Sequence, residues 1–276
     1  MWRINPTCRW AASLLISTLG VSTPKSQMPS APALVRAYNA RRTGAPGWRR
    51  VLISLSEAGK VTQTFQVVNV WRDAPNRAAM LFYLESPFGL QGTRYLQLER
   101  PSDADSLTVY LYLPTSTRVL RLAQGLYGEG LLGSDFAYDQ MRTELPLNGY
   151  SYSVAGIAEI SGKPTWRLES IAQRPDSVWR RATFYITQDT PFVMGADYFE
   201  TAGGPPAKQM RVERFRDVKG VRSAERMLMQ SCTGTQTTIA LQDARFALPD
   251  VGAHWFASDS LIPVGDMLRA GWPLRK

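Results

Sequence analysis

The stretch Leu107-Thr108-Val109-Tyr110-Leu111-Tyr112-Leu113 decides the fold class. Leu107, Val109, Leu111 and Leu113 recur at a period of two, and Tyr110 and Tyr112 fill the alternate positions. Successive side chains of a strand point to opposite faces, so both faces of this strand are largely apolar. A sheet with one wet face alternates apolar with polar residues. The second face is therefore expected to be covered, either by another layer of core or by a ligand. Leu81-Phe82-Tyr83-Leu84 carries the same message.

Outward from this strand the period of two persists. Strands are predicted over residues 48–56, 61–71, 78–84, 93–98, 107–113 and 118–122, then over 150–156, 165–171, 181–187, 191–199, 209–215, 221–229 and 235–241. Glu57-Ala58-Gly59-Lys60, Gln188-Asp189-Thr190 and Asp217-Val218-Lys219-Gly220 read as hairpin turns. Short links between about a dozen strands describe a large antiparallel meander or half-open barrel. The class is mainly β, with some helix (α+β). One amphipathic helix is predicted at 33–42, with Leu34, Val35 and Tyr38 on its apolar face and residues 43–47 (TGAPG) ending it.

Two stretches break the rhythm. Residues 123–147 mix Gly125, Gly128, Gly130 and Gly133 with large apolar residues and read as a long, partly helical insertion, a kind of loop that is usually functional or mobile. Residues 243–276 look strand-poor and end in Gly271-Trp272-Pro273-Leu274, with Trp272 expected to pack the tail down.

The N-terminus is expected to lie outside the fold. Arg3 and Arg9 precede or open an apolar run at 10–21 (WAASLLISTLGV), and Gly20 and Ser22 offer a small-residue cleavage edge. This is the pattern of a signal peptide at 1–22, followed by a Pro/Ser-rich linker at 23–32 and a single domain at 33–276. An uncleaved membrane anchor is the alternative reading. Cys8 precedes the apolar run, where a lipid-anchored protein would carry its cysteine after it. Loss of the leader leaves Cys232 as a lone thiol with no intramolecular disulfide.

The formal charge is +9, spread over scattered arginines such as Arg49-Arg50, Arg180-Arg181, Arg214 and Arg226. A solvated surface, contact with an anionic membrane or lipid headgroup, and nucleic acid compete to explain it. Export makes nucleic acid the weakest of these.

Residues suited to catalysis are scarce. His254 is the only histidine, and no nucleophile motif stands near it. One histidine and two cysteines do not make a zinc site, and no phosphate-binding glycine loop is present. Asp135 and Asp139 would share a face if the segment were helical, a spacing common by chance. No enzyme activity, metal or cofactor is expected.

Tyr112-Leu113-Pro114, then Arg118-Val119-Leu120-Arg121-Leu122, then Gly133-Ser134-Asp135-Phe136-Ala137-Tyr138-Asp139 form a familiar series. Gly92-Thr93-Arg94-Tyr95-Leu96 lies upstream, and Gly162-Lys163-Pro164-Thr165-Trp166 and the strand at 235–241 lie downstream. Together they resemble the LolA-like family of outer-membrane lipoprotein-sorting proteins (LolA/LolB-type carriers), over about 33–261. The resemblance implies an unclosed antiparallel barrel of about 11 strands, with helices and loops plugging its open side. It implies a monomeric periplasmic carrier holding lipid or lipoprotein acyl chains in an apolar cavity. The candidate lining residues are Phe82, Tyr110, Tyr112, Phe184 and Tyr198, and the candidate gate is Gly133, Ser134, Asp135, Phe136 and Tyr138. Ser134 and Asp135 are expected to pin the insertion through local hydrogen bonds. The alternative is an accessory protein docking on a membrane transporter of the resistance-nodulation-division type, or on another envelope complex, through the 123–147 insertion.

Overall fold

The computed structural model describes residues 28–41, 43–74, 77–99, 107–174, 177–218 and 220–269. The expected leader, the first half of the linker (23–27), and Trp272 lie outside the described residues. A short helix, α1 (Ala31–Asn39), comes first. The first six strands are β1 (Gly47–Glu57), β2 (Lys60–Ala74), β3 (Arg77–Ser86), β4 (Arg94–Glu99), β5 (Thr108–Leu113) and β6 (Arg118–Arg121). Seven more follow: β7 (Tyr150–Ile160), β8 (Lys163–Ala172), β9 (Arg181–Thr187), β10 (Val193–Phe199), β11 (Lys208–Val218), β12 (Val221–Ser231) and β13 (Thr235–Phe246). A second helix, α2 (Leu261–Arg269), closes the described chain.

All 13 strands belong to one sheet, in the order β6-β5-β4-β3-β2-β1-β13-β12-β11-β10-β9-β8-β7. The count exceeds the eleven or so that the resemblance implied. Every described pairing is antiparallel. The β1–β13 pair joins two meanders, and the strands on either side of the 122–149 segment, β6 and β7, become the two edges. The barrel is therefore unclosed, as expected, and one chain segment spans from edge to edge.

Local chemistry explains the turns. Ala58 (φ 49°) and Gly59 (φ 77°) both lie in the left-handed region, the geometry of a two-residue hairpin turn matched to strand twist. In α1, the Ser30 side chain accepts the Ala33 N–H and Pro32 occupies the first turn. Leu34, Val35 and Tyr38 are its buried face, as the spacing predicts.

The two apolar faces are both covered. Met80, Phe82 and Leu84 of β3 and Val109 of β5 join a cluster on the inner face with Phe65, Val67 and Trp71. Residues Tyr127, Leu131, Phe136 and Tyr138 of the 122–149 segment enter the same cluster. The alternate residues Ala79, Leu81, Tyr83 and Tyr112 form the outer cluster, covered by Val251, Trp255, Phe256, Leu261, Val264 and Leu268. The strand-poor tail is thus the outer lid. A third cluster seats Leu34, Val35 and Tyr38 of α1 on Trp166, Leu168 and Ile186 of β8 and β9.

Arg94 fastens the outer lid. Its guanidinium is buried, stacks on the Tyr112 ring at 4.5 Å, and donates to Leu261 O at 3.0 Å and Asp266 Oδ1 at 3.4 Å. The β4 arginine thereby ties down both the start and the middle of α2.

Cys232, which follows β12, is disulfide-bonded in the full chain, whereas the expected lone thiol belongs to a chain without its leader. The chain's other cysteine, Cys8, lies outside the described residues.

The fit of α2 rests on Gly265, because a Cβ there would come within 1.7 Å of Arg94 Nε. Gly265→Ala is expected to displace the guanidinium or lift α2 and to cost about 1–3 kcal/mol, read as a lower midpoint in urea denaturation.

Candidate functional site

The 122–149 segment is a partly helical plug on the inner face of the sheet. It runs as three short 3-10 turns, Gln124–Leu126, Leu131–Gly133 and Tyr138–Met141, linked by extended residues. A tight loop closes on itself where Gly130 bridges Ala137 and Leu131 N–H donates to Phe136 O at 2.8 Å. The loop requires glycine at 130, since a Cβ there would lie 1.9 Å from Ser134 O. Gly133 (φ 73°) takes the left-handed position that completes the turn.

Ser134 behaves as expected. Its Oγ accepts from Phe136 N–H at 3.2 Å, a bond that pins the loop locally. Asp135 reaches further than expected. Its carboxylate accepts from Thr235 Oγ1 at 2.5 Å and Thr237 Oγ1 at 2.8 Å, and its own N–H donates to Thr237 Oγ1 at 2.8 Å. Lys208 Nζ donates to Asp135 O at 2.8 Å. One aspartate therefore anchors the plug to β13 and β11 near the middle of the sheet. Phe136 and Tyr138 are buried, and the Tyr138 ring lies 5.8 Å from that of Tyr95.

The far end of the plug is clasped to α1. Asn39 Nδ2 donates to Leu145 O, and Leu145 N–H donates back to Asn39 Oδ1, each at 2.9 Å. Arg41 Nη2 adds a bond to Thr143 O at 2.6 Å. Thr143 N–H faces the carboxylate of Glu99, at 3.3 Å from each oxygen, and Gln97 Nε2 donates to Glu99 Oε1 at 2.7 Å.

A cavity of about 290 Å³ lies among the inner face of the sheet, α1 and the plug. Phe184, Phe192, Val193, Met210, Val212 and Met227 give it an apolar wall on β9 to β12 and the turn before β10. Tyr38 of α1 and Phe136, Met141 and Leu145 of the plug also line it. Methionine suits a wall that adapts to its contents.

Of the five candidate lining residues, Phe184 and Tyr198 line this cavity. Phe82 sits in the inner cluster away from its wall. Tyr110 and Tyr112 point outward beneath the C-terminal tail, so as lining residues they are corrected. A period of two separates the faces of a strand but does not say which face is inner. Of the gate residues, Phe136 lines the cavity, while Gly133, Ser134, Asp135 and Tyr138 shape and anchor the plug.

Sequence reading passed over Arg49, Trp71 and Trp179, which also line the cavity. Arg49 could have been found by parity: it shares the inner face with Val51 and Ile53, where an arginine is out of place. Trp179 Nε1 donates to Asp139 Oδ1 at 3.3 Å. Burial pushes Asp139 up to about 6 despite that bond and the nearby Arg142 and Lys208. The Asp135–Asp139 pair is not on a helix, and each carboxylate has its own partners. His254 is exposed and does not line the cavity. Among the described residues no group of three or more His, Cys, Asp or Glu side chains could hold a metal ion.

An unclosed antiparallel sheet with its open side plugged by a connecting segment defines the LolA-like class of fold. A family model described as "Uncharacterized protein" matches residues 76–256, and the chain belongs to that family. Solved structures share the fold. A domain from Vibrio parahaemolyticus described as outer membrane lipoprotein-sorting is 17% identical, with a TM-score of 0.76 over 84% of this chain and 97% of that one. A DUF1329 family protein from Desulfovibrio piger is 18% identical, with a TM-score of 0.73 over 83% and 96%. A LolA superfamily protein from Nitrosomonas europaea is 14% identical, with a TM-score of 0.62 over 84% and 99%. No curated protein matches the chain.

Two tests follow from the plug. Asp135→Ala strands the buried Thr237 hydroxyl and removes two charge-assisted bonds. It is expected to cost roughly 2 kcal/mol and to raise amide exchange in 127–141, with Asp135→Asn milder. Glu99 is the second. Burial pushes it up to about 7 against the pull of Arg142, Gln97 and Thr143. A carboxyl raised in the folded state binds its proton more tightly there than in the unfolded chain. The resulting stability is full below the ordinary carboxylate pKa and is lost as pH rises through about 7. Thermal unfolding is expected to weaken by on the order of 3 kcal/mol between pH 4 and pH 8 from this group. Glu99→Gln should flatten that slope.

Proposed function

We propose that this chain is a non-enzymatic carrier that holds the acyl chains of a lipid or lipoprotein in the cavity beneath its plug. The observation that carries this reading is the cavity itself: an apolar, methionine-bearing wall on one side and a hydrogen-bonded plug on the other. Burial of an acyl chain gains about 0.8 kcal/mol per CH₂, so a carrier needs an apolar wall and a gate, not a reacting group. The description of the V. parahaemolyticus domain as lipoprotein-sorting supports the same reading. The charged n-region and apolar run at 1–22 favour work in the periplasm, with the basic surface available for peripheral contact with an anionic membrane. The accessory reading draws less support, because the 123–147 segment turns Tyr127, Leu131, Phe136 and Tyr138 inward and so spends them on its own core.

The test is binding of a fluorescent fatty acyl probe to the purified chain, with native mass spectrometry for copurified lipid. Saturable binding near one equivalent is expected. Met227→Glu, which puts a charge on the apolar wall, should weaken the probe by at least tenfold while circular dichroism stays unchanged. Probe binding that ignores this substitution would place the ligand elsewhere and overturn the reading.

A further inference from the structure

Arg49 is an anomaly on the cavity wall. It projects from β1 to the inner face beside Trp71, whose ring lies 5.3 Å from the guanidinium carbon. Its Nε donates to Asn69 Oδ1 at 2.8 Å. Asn69 is neutral and buried, and its own amide is spent on Leu81 O at 3.2 Å. Among the described residues Arg49 has no other hydrogen-bond acceptor and no carboxylate partner. The other cavity cations differ. Arg41 donates to Tyr38 O and Thr143 O, Arg222 is bracketed by Asp189 and Asp217, and Arg142 has the carboxylates of Glu99 and Asp139 within electrostatic reach. The two carboxylates on the wall, Asp139 and Glu144, form no ion pair with Arg49. Enclosure alone lowers the Arg49 pKa to about 10, with no charge nearby to restore it.

Arg49 is half-buried, and a guanidinium set against an apolar wall without an anion carries a desolvation cost that an anionic partner would offset. Its planar fork matches a carboxylate or a phosphate in a two-pronged pair. The apolar wall shares the cavity with it, so a cation with no carboxylate partner among the described residues stands beside one long apolar surface. We propose that Arg49 anchors the anionic head, a carboxylate or a phosphate, of an amphiphile whose acyl tail lies along Phe184, Met210 and Met227. This rests on the carrier reading and narrows it: the preferred ligand is a single-headed acidic amphiphile, not any apolar chain.

Trp71 and Trp179 line the cavity, so tryptophan fluorescence can follow titration of the full chain. The probes are dodecanoate, dodecyl phosphate and methyl dodecanoate at pH 8, which share one tail length and differ in the head. At least one anionic probe is expected to bind about tenfold tighter than the ester, the scale of a charge-assisted pair. Whichever anion is preferred names the head group. Arg49→Met should bring all three to the ester's affinity and melt no lower than the parent chain. Equal affinities for anions and ester, or a preference that survives Arg49→Met, overturn the anchor and leave the carrier reading standing. Failure of all three probes to bind removes the carrier reading and the anchor with it. The acid–ester comparison on the parent chain decides the matter even if Arg49→Met does not fold.

Discussion

A single sheet with apolar residues on both faces cannot stand in water, and the other elements of this molecule exist to cover it. Hydrophobic burial is roughly proportional to area removed from water, so each face of the sheet needs its own cover. The outer face of β2 to β5 is sealed by the C-terminal segment through Trp255, Phe256, Leu261 and Val264. The inner face is covered by two pieces, the plug at 122–149 and α1. The two covers are built differently. Around α2 the fit is close enough that Gly265 leaves room only for the Arg94 guanidinium. On the inner side a cavity remains between cover and sheet. One seam is packed as structure, and the other keeps space.

The same difference shows in how each cover is held. The outer lid is fastened largely by packing, with one buried arginine reaching α2. The plug is fastened at both ends by polar groups: Asp135 on β13, then the Asn39–Leu145 pair and Glu99 near Thr143. Hydrogen bonds are directional and each contributes about 1 kcal/mol net, so a segment held by a few of them can release in steps. The placement of the anchors lets the part between them, 136–142, carry both buried apolar side chains and cavity wall.

Much of this was legible in the sequence, and the failures are specific. Period-two patterning in β3 and β5 revealed that both faces were apolar, and the hairpin at Ala58-Gly59 was visible in its residues. Patterning did not reveal which face was inner. That depends on the hand of the curl and on where 122–149 crosses, neither of which is local to a strand, and so Tyr110 and Tyr112 were placed on the wrong side. Asp135 was recognised as an anchor, but its partners Thr235 and Thr237 stand about 100 residues away and no spacing rule reaches them. Arg49 failed for a different reason. It sits beside Arg50, which pairs with Glu85 at 2.7 Å, and two adjacent arginines read together as a charged surface. In a strand neighbours face opposite ways, so the dipeptide divides one cation to each face.

That division separates a ligand site from a packing defect. A void that stays empty in a β core is lined by apolar side chains. This cavity has Phe184, Met210 and Met227 on its wall together with a guanidinium whose only acceptor among the described residues is a neutral amide. If the space served packing alone, leucine or methionine at position 49 would fill it better and remove the desolvation cost of the charge. An arginine at that position gains most when something anionic enters. The cation and the space therefore have one explanation, and it is chemical: a tail for the wall and a charge for the arginine, in one molecule.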